Sequence, residues 1–140
     1  GGMESLVEIF NQMSVGDERK VLDHLYQENP QLAQELEERL VTFDTLVNLS
    51  NHEMRMVLDR VPEDQVLTLA IKGASEDIRR HLLSNISRNR ARTILDNLGL
   101  LGPTPLSDIE DAREKIVLVA KKLDQQGYIA LRKEEDEWVE

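Results

Sequence analysis

The 140-residue sequence contains no cysteine, which excludes a disulfide framework, a thiol nucleophile and a cysteine-based zinc site together. Aromatic residues make up only 4% of the chain, so a core has to be built from Leu, Val, Ile, Ala and Met. Long apolar runs are missing too. The longest is Ile116-Val117-Leu118-Val119-Ala120, far short of a bilayer span, and no direct membrane insertion is expected. The N terminus does not join basic residues to an apolar stretch, so no signal peptide is expected in this chain. Positive charge is scarce as well: 17 Lys and Arg stand against 27 Asp and Glu, a net charge of −10. A general nucleic-acid binder carries a basic surplus, and no nucleic-acid partner is expected. The expectation is a soluble, cytoplasmic, acidic protein of one ordinary domain or two very small ones.

What the sequence does have is helical spacing nearly throughout. Leu6, Ile9, Phe10 and Met13 form one apolar stripe; Val21, Leu22 and Leu25 form the next, followed by Leu32, Ala33, Leu36 and Leu40. Asn29-Pro30 reads as a helix cap with proline at the first helical position, where no intrahelical N–H partner is lost. Ser50 with Glu53, and Ser107 with Glu110, have capping-box spacing. Pro62 is expected to open a helix that Gly73 ends, with Ser75 and Ser87 capping the next two. Gly99 to Pro105 reads as the one clear loop. A long amphipathic helix through Ile109, Ala112, Ile116, Ala120 and Leu123 follows, ending near Gly127. No segment of adequate length alternates with period two, so the fold class is all-α. The first forty residues are too few for a large core of their own, and three such helices resemble one unit of an α-solenoid.

Chemistry-bearing motifs are nearly absent. His24, His52 and His81 are far apart in the chain, with no His-Glu-x-x-His pair, and read as surface or packing residues. Phosphate loops, dinucleotide glycines and a nucleophile elbow are missing. The carboxylate pairs Glu37-Glu38 and Glu134-Glu135 lie in polar segments where nothing raises a pKa for acid catalysis. No catalytic residue, cofactor or metal is therefore expected, and the chain is not expected to be an enzyme. Charge is unevenly spread. Between Lys72 and Pro105 the sign reverses, with Lys72, Arg79, Arg80, Arg88, Arg90 and Arg92 against Glu76, Asp77 and Asp96. Two short helices from Ser75 and Ser87 look superficially like a helix-turn-helix, but apolar Leu98 to Leu101 would end the recognition helix and the net charge opposes approach to phosphates.

Several stretches carry a more specific signal. Leu67-Thr68-Leu69-Ala70-Ile71-Lys72-Gly73-Ala74-Ser75-Glu76, then Leu83-Ser84-Asn85-Ile86-Ser87, then Leu101-Gly102-Pro103 with Leu106-Ser107-Asp108-Ile109-Glu110, lie in register with one known family. Tyr128-Ile129-Ala130 after the long helix, Asn29-Pro30-Gln31-Leu32-Ala33 and Val7-Glu8-Ile9-Phe10-Asn11 extend the match over essentially the whole chain. They resemble the C-terminal part of the bacterial flagellar motor switch protein family FliG. The resemblance implies an armadillo-like helical unit over 1–39, a hinge-like linker over 40–43 and a helical torque-type domain over 44–140. The linker reads Leu40-Val41-Thr42-Phe43 where the family has Met-Phe-x-Phe, so only the final Phe is kept. β-branched Val41 and Thr42 suit a non-helical joint.

The family's torque face is a ridge of charged side chains opposed to the stator protein MotA. Lys72 and Asp96 match it in place, whereas Asn89, Asn97 and Pro105 stand where the family has charges. Arg88, Arg92 and Asp96, at i, i+4 and i+8, share one helical face, which leaves two readings: a displaced version of the ridge, or an intrahelical Arg92–Asp96 pair of little consequence. The stator-facing set implied is Lys72, Arg88, Asn89, Arg92, Asp96 and Asn97. The resemblance also implies contact with the switch protein FliM and with neighbouring copies of the chain in a ring, through Leu6, Ile9, Phe10 and Met13. It implies a place at the cytoplasmic face of the inner membrane, within the flagellar basal body. Retained domain organisation favours a working rotor component; the neutralised ridge positions favour a non-torque paralogue that acts as an interaction scaffold.

Overall fold

The computed structural model describes residues 2–131, and among them it contains helices and no strand. Glu134 and Glu135 lie outside the described residues. The chain divides into two compact units, the first ending at Thr42 and the second beginning at Phe43.

The first unit holds α1 (Gly2–Gln12), α2 (Val15–Glu28) and α3 (Pro30–Glu37). Ser14 caps α2 by accepting from the Asp17 N–H at 3.2 Å, and Asn29 caps α3 by accepting from the Leu32 N–H at 3.2 Å, with Pro30 at its first position. The core is Val7, Phe10, Leu36 and Leu40, flanked by half-buried Met3, Leu6, Met13, Leu22 and Leu25. Ile9 departs from the expected stripe. A step of about 100° per residue carries it out of the arc that Phe10 buries, and Val7 fills the inner face instead. Val21 is exposed for the same reason. The Tyr26 hydroxyl donates to Glu37, tying α2 to α3, and this bond raises the phenol's pKa above its usual 10.0.

The second unit opens with a 3-10 helix, Phe43–Asn48, followed by α4 (Asn51–Asp59), α5 (Asp64–Ile71), α6 (Glu76–Leu83), α7 (Arg88–Leu100) and α8 (Leu106–Gln125). Ser50 and Glu53 form the expected capping box, with bonds of 3.1 and 2.9 Å. Ser75 and Ser87 cap α6 and α7. Helix α5 packs against both α7 and α8, so Val66, Leu67, Thr68, Ala70 and Ile71 are all buried. The Thr68 hydroxyl is satisfied by donating to the Asp64 carbonyl at 2.8 Å. Helix α8 buries Ile109, Ala112, Ile116, Val117, Ala120 and Leu123 along one face. Gly127, at φ +81°, then turns the chain so that Ile129 and Leu131 close over the core.

Three boundaries differ from expectation. Helix α5 starts at Asp64, because Glu63 is extended (φ −78°, ψ 109°) and its carbonyl is the first to accept, from the Val66 and Leu67 N–H groups. Helix α8 starts at Leu106, so Ser107 already sits inside the first turn and forms no capping box with Glu110. Helix α7 runs through Gly99 to Leu100, which shortens the loop to residues 101–105.

The two glycines at α5 and α7 have opposite requirements. Gly73, at φ +71°, ends α5 in a conformation that costs a residue with a Cβ about 1–2 kcal/mol. Gly99 is helical, and a methyl group placed on its Cα would meet nothing within 4 Å. In urea denaturation, Gly73→Ala is expected to destabilise the unit by about 1–2 kcal/mol, and Gly99→Ala to stabilise it by about 1 kcal/mol.

Candidate partner-binding surface

Helix α7 carries the charged row that the sequence suggests. Ser87 fixes its first turn, and the inner face is held by Ile94, which is fully buried. With that face turned inward, Arg88, Asn89, Arg92 and Asp96 are exposed and Asn97 is half-buried. Among the described residues, no ion pair or side-chain hydrogen bond engages the charged groups of Arg88, Arg92 or Asp96. The row is therefore three unquenched charges at i, i+4 and i+8, about 12 Å from end to end. Lys72 is half-buried at the C-terminal end of α5, where a cation suits the helix dipole.

Two arginines turn inward: Arg90, which the sequence places in the basic region, and Arg113, which lies beyond it. Arg90 pairs with Asp64 through Nε at 2.7 Å and donates to the Val61 carbonyl and, at 3.5 Å, to that of Leu58. It thereby clasps the turn between α4 and α5. Arg113, on α8, donates from Nε to the Ala70 carbonyl at 2.8 Å and from Nη2 to the Lys72 carbonyl at 3.0 Å. Its guanidinium carbon lies 5.1 Å from the centre of the Phe43 ring. Arg113 thus fixes the backbone that carries Lys72. The one signal in the sequence was its place beside Ala112 on a face otherwise apolar at Ile109 and Ile116.

The remaining candidates divide between core and surface. Within the first unit Phe10 is core, Leu6 and Met13 are half-buried, and Ile9 alone of the four is exposed. In the linker, Leu40 and Val41 are buried, Thr42 is exposed and Phe43 is buried in the second unit. The Val41 N–H reaches the Asn11 side-chain carbonyl at 3.5 Å. His24 and His52 are exposed, while His81 Nε2 lies 2.6 Å from the Leu49 carbonyl and serves packing. Two clefts of about 350 and 410 Å³ open on the second unit, with Glu63 the one carboxylate on the first and Asp59 on the second. Among the described residues, no group of three or more His, Cys, Asp or Glu is placed to hold a metal ion.

The helix order and the row on α7 invite comparison with known proteins. A model of the FliG C-terminal domain family matches residues 23–131, from within α2 to the buried Leu131. The chain belongs to the FliG C-terminal domain family. It is 34% identical over 131 residues to the flagellar motor switch protein FliG of Thermotoga maritima, covering 94% of this chain and 39% of that protein. FliG of Bacillus subtilis is also 34% identical, with 94% and 38% covered. The chain thus spans about two fifths of the length of these relatives. Among solved structures, a FliG fragment from Helicobacter pylori superposes with a TM-score of 0.79 at 28% identity, covering 93% of this chain and 61% of that one. Full-length FliG of Aquifex aeolicus gives 0.60 at 30% identity, with 91% and 39% covered. The all-helical architecture described above is shared with these FliG structures.

The fork of Arg113 is the feature of this surface most open to measurement. Arg113→Lys keeps the charge over Phe43 but cannot serve two carbonyls in one plane. It is expected to lower stability by about 1–3 kcal/mol in urea denaturation and to raise amide exchange at Lys72 and Gly73.

Proposed function

We propose that the chain is a rotor and switch component of the bacterial flagellar motor. Membership of the FliG C-terminal domain family supports this reading, and the single structural observation that carries it is the row of unquenched charges on α7. In this reading the stator protein MotA meets Lys72, Arg88, Arg92 and Asp96, with Asn89 and Asn97 as uncharged members of the face. An exposed ion pair contributes at most about 1 kcal/mol, so such a face acts through a summed pattern of charge. The first unit takes the part of an armadillo-like module over 1–39, with Ile9 and its neighbours Leu6 and Met13 toward FliM and adjacent copies in a ring. Residues 40–43 act as the joint between that module and the torque-type domain over 44–140. The assembly sits at the cytoplasmic face of the inner membrane, in the basal body. No helix among the described residues is long and apolar enough to cross a membrane.

The second reading, a non-torque paralogue that works as an interaction scaffold, is favoured by one observation. Asn89, Asn97 and Pro105 leave three positions of the family's ridge without charge.

Replacing the corresponding part of FliG in a motile host with this chain separates the two. The rotor reading expects swimming cells, and loss of rotation when Lys72→Glu, Arg88→Glu and Asp96→Lys are combined, with each single reversal costing less. Rotors that assemble and never turn overturn it in favour of the scaffold.

A further inference from the structure

The cleft of about 350 Å³ lies between the turn that joins α4 to α5 and the outer side of α8. Val61, Val66 and Leu118 give it apolar walls, and Leu118 is 54% exposed, outside the row that α8 buries. Arg60, Glu63 and Lys115 also line it, and all three are exposed. Among the described residues, no ion pair engages Arg60 or Lys115. The cleft thus joins aliphatic walls to two bases and one acid, a net positive place on a chain of net charge −10. An anchored thread of chain runs beside it. The Arg60 guanidinium carbon lies 5.9 Å from the centre of the Tyr128 ring, the Ala130 N–H donates to Glu53 at 2.7 Å, and the Leu131 N–H donates to Asp124 at 3.2 Å. The segment that follows Leu131 therefore starts from a fixed point close to the cleft.

That segment reads Arg132-Lys133-Glu134-Glu135-Asp136-Glu137-Trp138-Val139-Glu140: four consecutive acids, then the single tryptophan of the chain beside a valine. We infer that Trp138 and Val139 dock in this cleft of their own molecule, with the acids of 134–137 toward Arg60 and Lys115. Charge complementarity selects the occupant, since two bases outnumber Glu63 and the segment brings a run of carboxylates next to its apolar pair. Length permits it. Tyr128 and Leu131 are at most about 11 Å apart, whereas the seven steps from Leu131 to Trp138 span up to about 23 Å, so the segment can return to Arg60 with slack. Size agrees as well: an indole that buries about 150–250 Å² suits a cleft near the lower end of the range of about 300–1,000 Å³ that encloses organic groups. A second copy offers the same chemistry, but a short tether sets a local concentration in roughly the millimolar range, which a free second copy at micromolar concentration does not match. The segment is thus a built-in cover that any other ligand of the cleft must displace. This inference goes beyond the rotor reading and does not depend on it.

Because Trp138 is the only tryptophan, the emission of the whole chain reports its surroundings alone. With the indole docked, acrylamide is expected to quench it about threefold less than free N-acetyltryptophanamide, and equally at about 1 µM and about 100 µM chain. Leu118→Gln removes the exposed apolar wall, and Glu134→Lys with Glu137→Lys reverses charge on the segment itself. Each is expected to raise quenching about twofold or more. Leu118 is exposed and the two acids lie past Leu131, so unchanged circular dichroism is expected throughout. If Leu118→Gln does perturb the fold, the charge pair still gives the answer. Quenching of the unaltered chain equal to that of the free indole overturns the inference. Protection that survives both changes puts Trp138 elsewhere and overturns it as well. Protection that fades on dilution assigns the cleft to a second copy and likewise overturns it. None of these outcomes bears on the rotor reading, which the swimming of the host decides.

Discussion

Helix α5 is short, buried on most of its surface and bounded by carbonyl groups that water cannot reach freely, and the second unit is arranged around that difficulty. The last turn of any helix leaves carbonyls without intrahelical partners, and each one buried and unmet costs about 1–3 kcal/mol. Arg113 meets two of them, at Ala70 and Lys72, from across the interface with α8. At the other end Arg90, from α7, meets Val61 and Leu58 and pairs with Asp64 in the first turn. A helix too short to be stable alone is thus held at both ends by cations on its two neighbours. The same contacts fix the position of Lys72 and place a cation over Phe43 at the beginning of the unit.

This arrangement divides the arginines by task. Along α7, positions 88, 90 and 92 alternate outward, inward, outward, because two residues advance the helix by about 200°. Counting bases between Lys72 and Pro105 therefore overstates the charge available to a partner. Arg90 is spent on the fold, and Arg80 lies 3.6 Å from Glu76 in an exposed pair of small consequence. What remains outward is a short, sparse row whose effect depends on its neighbours being uncharged or apolar.

Much of the helical plan was legible because its signals are local. Ser50 with Glu53, Ser75, Ser87 and Asn29-Pro30 each satisfy backbone donors within three residues, so sequence alone specifies them. The stripe of α8 was legible for the same reason. Ser107 misled because Pro105 had already taken the capping position, which no spacing rule records. Ile9 misled because an apolar arc on α1 can be centred on Val7 and Phe10 or one step away, and only packing against α3 decides. The roles of Arg90 and Arg113 were illegible, since their partners are 26 to 43 residues distant and are mostly backbone carbonyls, which every residue has. The charged row on α7 was readable from its i, i+4, i+8 spacing; the leucines beside it were indistinguishable from core until their exposure was known.

Helix α8 also sets the order in which the second unit is completed during synthesis. Among the described residues it is the last helix in chain order, and it packs against α5, α4 and the 3-10 helix. Until it emerges from the ribosome, α5 lacks one of the two helices that bury it, and the Ala70 and Lys72 carbonyls lack Arg113. The preceding helices form a nascent chain with open apolar faces, and contacts that close late in the sequence are the ones that make folding slow and exposed to misassembly. Damage to α8 therefore reaches α5, α4 and the 3-10 helix at once, since all three pack against it.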